Sequence, residues 1–122
     1  MHLGVTYLFD LIGIQNDSLL SDDRVIQMVL ISASMQAGLT PHLRTYTEQE
    51  FSAPDGQKAW SACLILSESH ISIHTYPENR YARVELSSCR KLSEAEETDV
   101  VSYLETLGKC KVRMEKHLWQ MG

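Results

Sequence analysis

Leu66-Ser67-Glu68-Ser69-His70-Ile71-Ser72-Ile73-His74-Thr75-Tyr76-Pro77-Glu78 alternates polar and apolar residues over its second half. Alternation places His70, Ser72, His74 and Tyr76 on one face of a strand over residues 70–76, with Ile71, Ile73 and Thr75 on the other. Pro77-Glu78-Asn79-Arg80 turns the chain. Residues 81–88 then form a further strand, with Tyr81, Arg83, Glu85, Ser87 and Cys89 on a common face. Residues 59–66 are apolar on both faces and supply the strand before it. Three successive strands separated by short breaks predict an antiparallel sheet.

Working outward, residues 3–13 alternate as well, with Val5, Tyr7 and Phe9 opposite Thr6, Leu8 and Asp10. Ser21 offers an N-cap, Asp22 and Asp23 suit a helix N-terminus, and Val25, Met28, Val29 and Met35 keep helical spacing. A helix over residues 22–37 follows, closed by Gly38. Residues 42–47 read as a second strand, and 48–58 as a polar loop turning at Pro54-Asp55-Gly56. Ser93-Glu94-Ala95-Glu96 is a capping box. Val100, Tyr103, Leu104 and Leu107 continue a second helix, which Gly108 ends, and Cys110, Val112 and Met114 alternate in a last strand. The fold class expected is α/β of the α+β kind: a two-layer sandwich, mainly antiparallel, with two helices on one face. The other sheet face then needs a cover, and self-association is the simplest one.

The 122 residues suit a single domain, 1–122, and 43% apolar with 22% charged residues describes an ordinary globular chain. A net charge of −5 and the absence of a Lys/Arg run argue against a nucleic-acid partner. Three widely spaced cysteines, Cys63, Cys89 and Cys110, suit a reducing cytoplasm better than a disulfide framework or zinc site. Met1-His2-Leu3-Gly4 lacks the basic start of a signal peptide, and no apolar run reaches membrane-spanning length, so no membrane partner is expected.

Chemistry concentrates in the opening stretch. Its thirteen residues hold two imidazoles, two carboxylates and a Glu68-Ser69 peptide bond, and a thiol follows at Cys89. Ser69 alone would be an ordinary turn serine. His70 and His74, four apart, would chelate a metal from a helix but not easily from a strand, so no metal site is expected. His70 reads as a packing or positioning residue, and Cys63 and Cys110 as buried small hydrophobes.

Taken together, residues 66–89 resemble the self-processing segment of the bacterial and archaeal S-adenosylmethionine decarboxylases. The match runs through Glu68-Ser69-His70, Ile73-His74-Thr75, Pro77-Glu78, Tyr81 and Cys89, with Ser61 eight residues before Ser69 and Phe51 upstream of it. The resemblance implies self-cleavage into chains 1–68 and 69–122. Ser69 attacks the Glu68 carbonyl, helped by turn strain; Ser61 holds the intermediate; His74 removes the α-proton of Ser69. The cofactor implied is a covalent pyruvoyl group made from Ser69, with neither metal nor pyridoxal phosphate. It would form a Schiff base with the substrate amine, and Cys89 would return the proton after carbon dioxide leaves. Phe51, Tyr76 and Glu78 take the positions that hold the nucleoside. The implied partners are S-adenosylmethionine, for spermidine synthesis, and a second copy in an (αβ)₂ dimer. Tyr76 stands where the family has tryptophan; Arg80, Arg83, Glu85, Arg90 and Thr6 also depart from its pattern. An ornithine or arginine decarboxylase on the same scaffold stays open as an alternative, as does an uncleaved, non-catalytic partner subunit.

Overall fold

The structure, a computed structural model, describes residues 2–121; Met1 and Gly122 lie outside the described residues. The elements follow as β1 (His2–Ile12), α1 (Asp17–Ser21), α2 (Asp23–Gln36), β2 (Thr47–Ser52), β3 (Lys58–Leu66), β4 (Ser69–Tyr76), β5 (Tyr81–Ser88), α3 (Glu94–Gly108) and β6 (Lys111–Met121). Short 3₁₀ turns occupy Leu43–Thr45 and Pro77–Asn79. The six strands form one sheet in the order β2-β3-β4-β5-β1-β6, with every neighbouring pair antiparallel.

Alternation along the strands builds the core. Val5, Tyr7, Phe9 and Leu11 of β1, Ile71 and Ile73 of β4, and Val84 and Leu86 of β5 are buried against Ile26, Val29 and Leu30 of α2 and Val100 and Leu104 of α3. Burying such side chains contributes roughly 1.5–3 kcal/mol each, which fixes the strand register. The helices cover one face only, as the pattern predicts.

Three differences from the sequence reading have local causes. The helix expected over 22–37 is preceded by a separate turn of helix, α1, and its N-cap is Asp22, whose carboxylate accepts from the Arg24 N–H at 2.9 Å. Ser21 instead ends α1 and donates to the Lys58 carbonyl. Residues 42–46 are not a strand: the Thr45 N–H donates to the His42 carbonyl at 3.0 Å and closes a 3₁₀ turn. The strand lies at Thr47–Ser52, inside the expected loop, with Pro54-Asp55-Gly56 turning it into β3. Finally, Lys109 takes the left-handed conformation after α3, with φ 49°. Gly108 serves close packing instead: a Cβ there would approach Cys110 Sγ to 2.7 Å and Leu19 Cδ2 to 3.1 Å.

The sheet face away from the helices is polar. It carries Ser61, Ser72, His74, Arg83, Glu85, Asp10 and Arg113 in cross-strand rows. Cys63 lies there exposed, contrary to the expectation of a buried thiol, and Cys110 is half-buried. Asp10 is 1% exposed. It accepts from Arg83 Nε at 2.8 Å, from Arg113 at 3.4 Å and from the Tyr81 hydroxyl. The Arg83 hydrogen bond is the largest cause holding the Asp10 carboxyl down at about 2. The folded-state value lies below the ordinary 3.8, so the stabilisation is present above pH 4 and lost as pH falls toward 2. Asp10→Asn is expected to cost about 2 kcal/mol at pH 7 and little near pH 2, measured by urea unfolding.

Candidate active site

β3 and β4 are joined by a two-residue turn, Ser67-Glu68, between the paired residues Leu66 and Ser69. The Glu68-Ser69 bond thus lies at the tip of a hairpin. Ser69 pairs across to Ser88 of β5, which brings the next residue, Cys89, opposite Glu68. The Cys89 N–H donates to the Glu68 carbonyl at 3.0 Å. That donor polarises the carbonyl and faces the oxygen on which charge develops during attack. The Ser69 hydroxyl lies 3.2 Å from His70 Nδ1. Positive φ among non-glycine residues occurs at Arg80 and Lys109, not at Ser67 or Glu68, so the turn shows no left-handed strain to drive the reaction.

A strap holds the turn from outside. Thr40 donates its N–H to Glu68 Oε1 at 3.0 Å and its hydroxyl to Oε2 at 3.4 Å, and its carbonyl accepts from Ser67 N–H at 2.9 Å. His42 Nε2 lies 2.7 Å from Ser67 Oγ. Arg90 fixes the segment after Cys89: it binds the Glu96 carboxylate at 3.0 and 3.1 Å and the carbonyls of Ala37 and Gly38. That arginine holds Glu96 down at about 2 and ties the ends of α2 and α3 to the thiol's loop.

The remaining expected residues assemble at the other end of the sheet. Ser61 Oγ lies 2.7 Å from His74 Nδ1. Both border a cavity of about 200 Å³ lined by Phe51, Trp60, Tyr76 and Glu78 among others. Glu78 Oε2 is buried there with no hydrogen-bond partner. A buried carboxylate oxygen left unpaired costs free energy, so the cavity is built to receive a donor. Phe51 is 52% exposed and Tyr76 is 42% exposed, so both rings stand open to a ligand.

The backbone of Cys89 therefore lies against the Glu68-Ser69 bond, but His74 does not join them. Five residues of extended strand separate Ser69 from His74, about 16 Å at roughly 3.3 Å per residue. Arg80, a departure from the family pattern, does not enter the cavity. It is bound to the Ile14 carbonyl and to Asp17. Arg83 is likewise taken up by Asp10. Neither Thr40 nor the nearness of His70 to the serine was foreseen. Thr40 sits 28 residues from Glu68, and local pattern carries no signal over such a separation.

This arrangement defines a small α+β sandwich organised around one internal Glu-Ser bond. Residues 5–118 match the sequence model of the S-adenosylmethionine decarboxylase family, and the chain belongs to that family. It is similar to the S-adenosylmethionine decarboxylase proenzyme of Pelotomaculum thermopropionicum, 34% identical over 72% of this chain and 64% of that one. It is also similar to the proenzyme of Methanococcus maripaludis, 38% identical over 71% of this chain and 66% of the other. For the proenzyme of Clostridium botulinum the figures are 31%, 83% and 79%. The chain thus spans just under two thirds of the length of the first two relatives. Among the described residues no helix is long and apolar enough to cross a membrane.

Proposed function

We propose that this chain is a self-cleaving proenzyme whose product decarboxylates S-adenosylmethionine in the cytoplasm, yielding the aminopropyl donor for spermidine. The observation that carries the reading is the Glu68 carbonyl held on the Cys89 amide beside the Ser69 hydroxyl. Attack by Ser69 Oγ on that carbon replaces the peptide bond by an ester and frees the nitrogen of residue 69. Loss of the Ser69 α-proton then expels Glu68 as a carboxylate. Water replaces the nitrogen, which leaves as ammonia, and a pyruvoyl group caps residues 69–122. That ketone supplies the electron sink for decarboxylation. Cys89, fixed one cross-strand position from residue 69, is placed to return a proton to the substrate carbon.

The α-proton has to be removed by a histidine from elsewhere, because His74 of the same chain lies about 16 Å away along β4. A two-fold dimer stacked through the polar sheet face resolves this. Stacked sheets sit about 10 Å apart, a gap that side chains from both faces fill. An axis running between the two clusters lays Ser61, His74, Phe51, Tyr76 and Glu78 of one copy over Glu68, Ser69 and Cys89 of the other. The working site is then shared between two copies.

Exposed aromatic rings beside an unpaired carboxylate favour a nucleoside with a diol over a purely cationic tail. Incubation with S-adenosylmethionine, ornithine and arginine tests the choice: decarboxylated S-adenosylmethionine is expected, and putrescine or agmatine in its place would reject it. Glu78→Gln is expected to raise KM for S-adenosylmethionine about tenfold to a hundredfold, the effect of losing a charged hydrogen-bond partner, with a smaller change in kcat.

A further inference from the structure

Self-cleavage begins with a serine hydroxyl attacking an amide, and a neutral hydroxyl is a poor nucleophile without a base beside it. His74 is too distant within its own chain, and as the group removing the α-proton it acts only after the ester exists. The structure holds a second imidazole against the serine. His70 Nδ1 lies 3.2 Å from Ser69 Oγ, and its Nε2 lies 3.9 Å from Glu85 Oε2 on the neighbouring strand. We propose that His70 is the general base of the first self-cleavage step, with Glu85 orienting its ring. The inference rests on the self-cleaving reading above and assigns a residue to a step that reading left without a base.

The order Ser69, His70, Glu85 gives hydroxyl, imidazole and carboxylate in sequence, the arrangement that activates a serine in unrelated hydrolytic sites. Glu85 favours the tautomer carrying its N–H on Nε2, because a carboxylate attracts that proton. Nδ1 is then left as an acceptor toward Ser69. The register fixes the partners. His70 pairs with Ile65 of β3 and Ser87 of β5, and neither ionises. The ionisable groups flanking it on that face are Glu85 and Cys89 on the β5 side and Cys63 on β3.

The step balances within the chain. The Ser69 Oγ proton passes to His70 Nδ1, and Oγ bonds to the Glu68 carbonyl carbon, whose oxygen the Cys89 N–H holds at 3.0 Å. As the carbon-nitrogen bond of the 68–69 peptide breaks, the imidazolium returns its proton to the departing nitrogen. An ester and a free amine result, with no net proton gained or lost. A single imidazole thus acts as base and then as acid.

Hydroxylamine isolates this step, since it cleaves an ester at Glu68 without needing the later elimination. In a His74→Ala chain, hydroxylamine should therefore cut at 68/69 at the rate of ester formation. Adding His70→Gln is expected to slow that cut at least a hundredfold, the usual weight of a general base. His70→Asn, which can keep a hydrogen bond to Ser69 but cannot carry the proton, should be equally slow. The rate with His70 present should rise with pH and flatten in both variants, because only an unprotonated imidazole can accept the serine proton. Glu85→Gln should slow the cut about threefold to tenfold and keep the pH dependence. Unchanged melting of the variants separates this from a folding defect. Equal hydroxylamine-driven rates with and without His70 would overturn the assignment while leaving self-cleavage intact. A wild-type chain that never cuts would overturn both.

Discussion

A Ser69→Ala chain is expected to leave expression as one uncut polypeptide of 122 residues with no decarboxylase activity, while the wild-type chain yields fragments 1–68 and 69–122. The substitution removes the nucleophile and, with it, the Cβ–oxygen bond whose elimination opens the way to the ketone, so the loss is of the whole reaction and not a fraction of it. It should do so without disturbing the fold. Ser69 contributes to the sheet through its backbone, paired with Leu66 and Ser88, and alanine retains that pairing. Intact mass reads the cut, and circular dichroism with a thermal melt reads the fold. In the wild type the later fragment should resist Edman degradation and gain mass on borohydride reduction, as a chain capped by a ketone must. A cut at 68/69 in the alanine chain would remove the serine from the mechanism.

The parts of the fold that were legible in the sequence are those where one face is buried and the other is not. In β4, Ile71, Ile73 and Thr75 are buried while His74 and Tyr76 are exposed, so the period of two was plain. In β5 the pattern is equally clear over Ala82, Val84 and Leu86. β2 failed for the opposite reason. It is an edge strand with polar residues and both faces largely exposed, so burial left no alternation to read. α1 has five residues, too few for a helical period, and is held by Asn16, whose side chain accepts from Ser18 N–H and donates to the Leu107 carbonyl.

The site was legible as an inventory and not as an arrangement. Spacing in the chain names Glu68, Ser69, His74 and Cys89, but only the register shows that a thiol twenty residues from Ser69 is its neighbour while a histidine five residues away is not. The three arginines that departed from the family pattern turn out to be structural. Arg90 secures the loop of Cys89 to two helices, Arg80 answers Asp17, and Arg83 answers the buried Asp10. Each guanidinium is paired with a carboxylate, and Glu78 in the cavity keeps an unpaired oxygen. Arg80 and Arg83, taken up by Asp17 and Asp10, leave the Glu78 oxygen unpaired.

Co-expression of Ser69→Ala with His74→Ala should restore what each variant lacks alone. If His74 serves the serine of the other copy, a mixed dimer has one site with both groups intact: Ser69 from the His74→Ala chain and His74 from the Ser69→Ala chain. Scission is then expected on the His74→Ala chain only. Random pairing makes half of the dimers mixed, each with one working site of two, so activity should reach roughly a quarter of wild type from two inactive parents. Glu78→Gln should behave like His74→Ala in this respect, its KM defect relieved when paired with Ser69→Ala, because both residues sit at the same end of the sheet. Cys89→Ala should not be rescued by Ser69→Ala at all, because the thiol and the serine must come from one chain, tied by the Cys89 amide on the Glu68 carbonyl. These two outcomes together distinguish a shared site from general stabilisation by mixing. An uncut His74→Ala chain in the mixture, with mixed dimers verified by mass, would show that the acting histidine lies within the chain and that β4 must bend to bring it there.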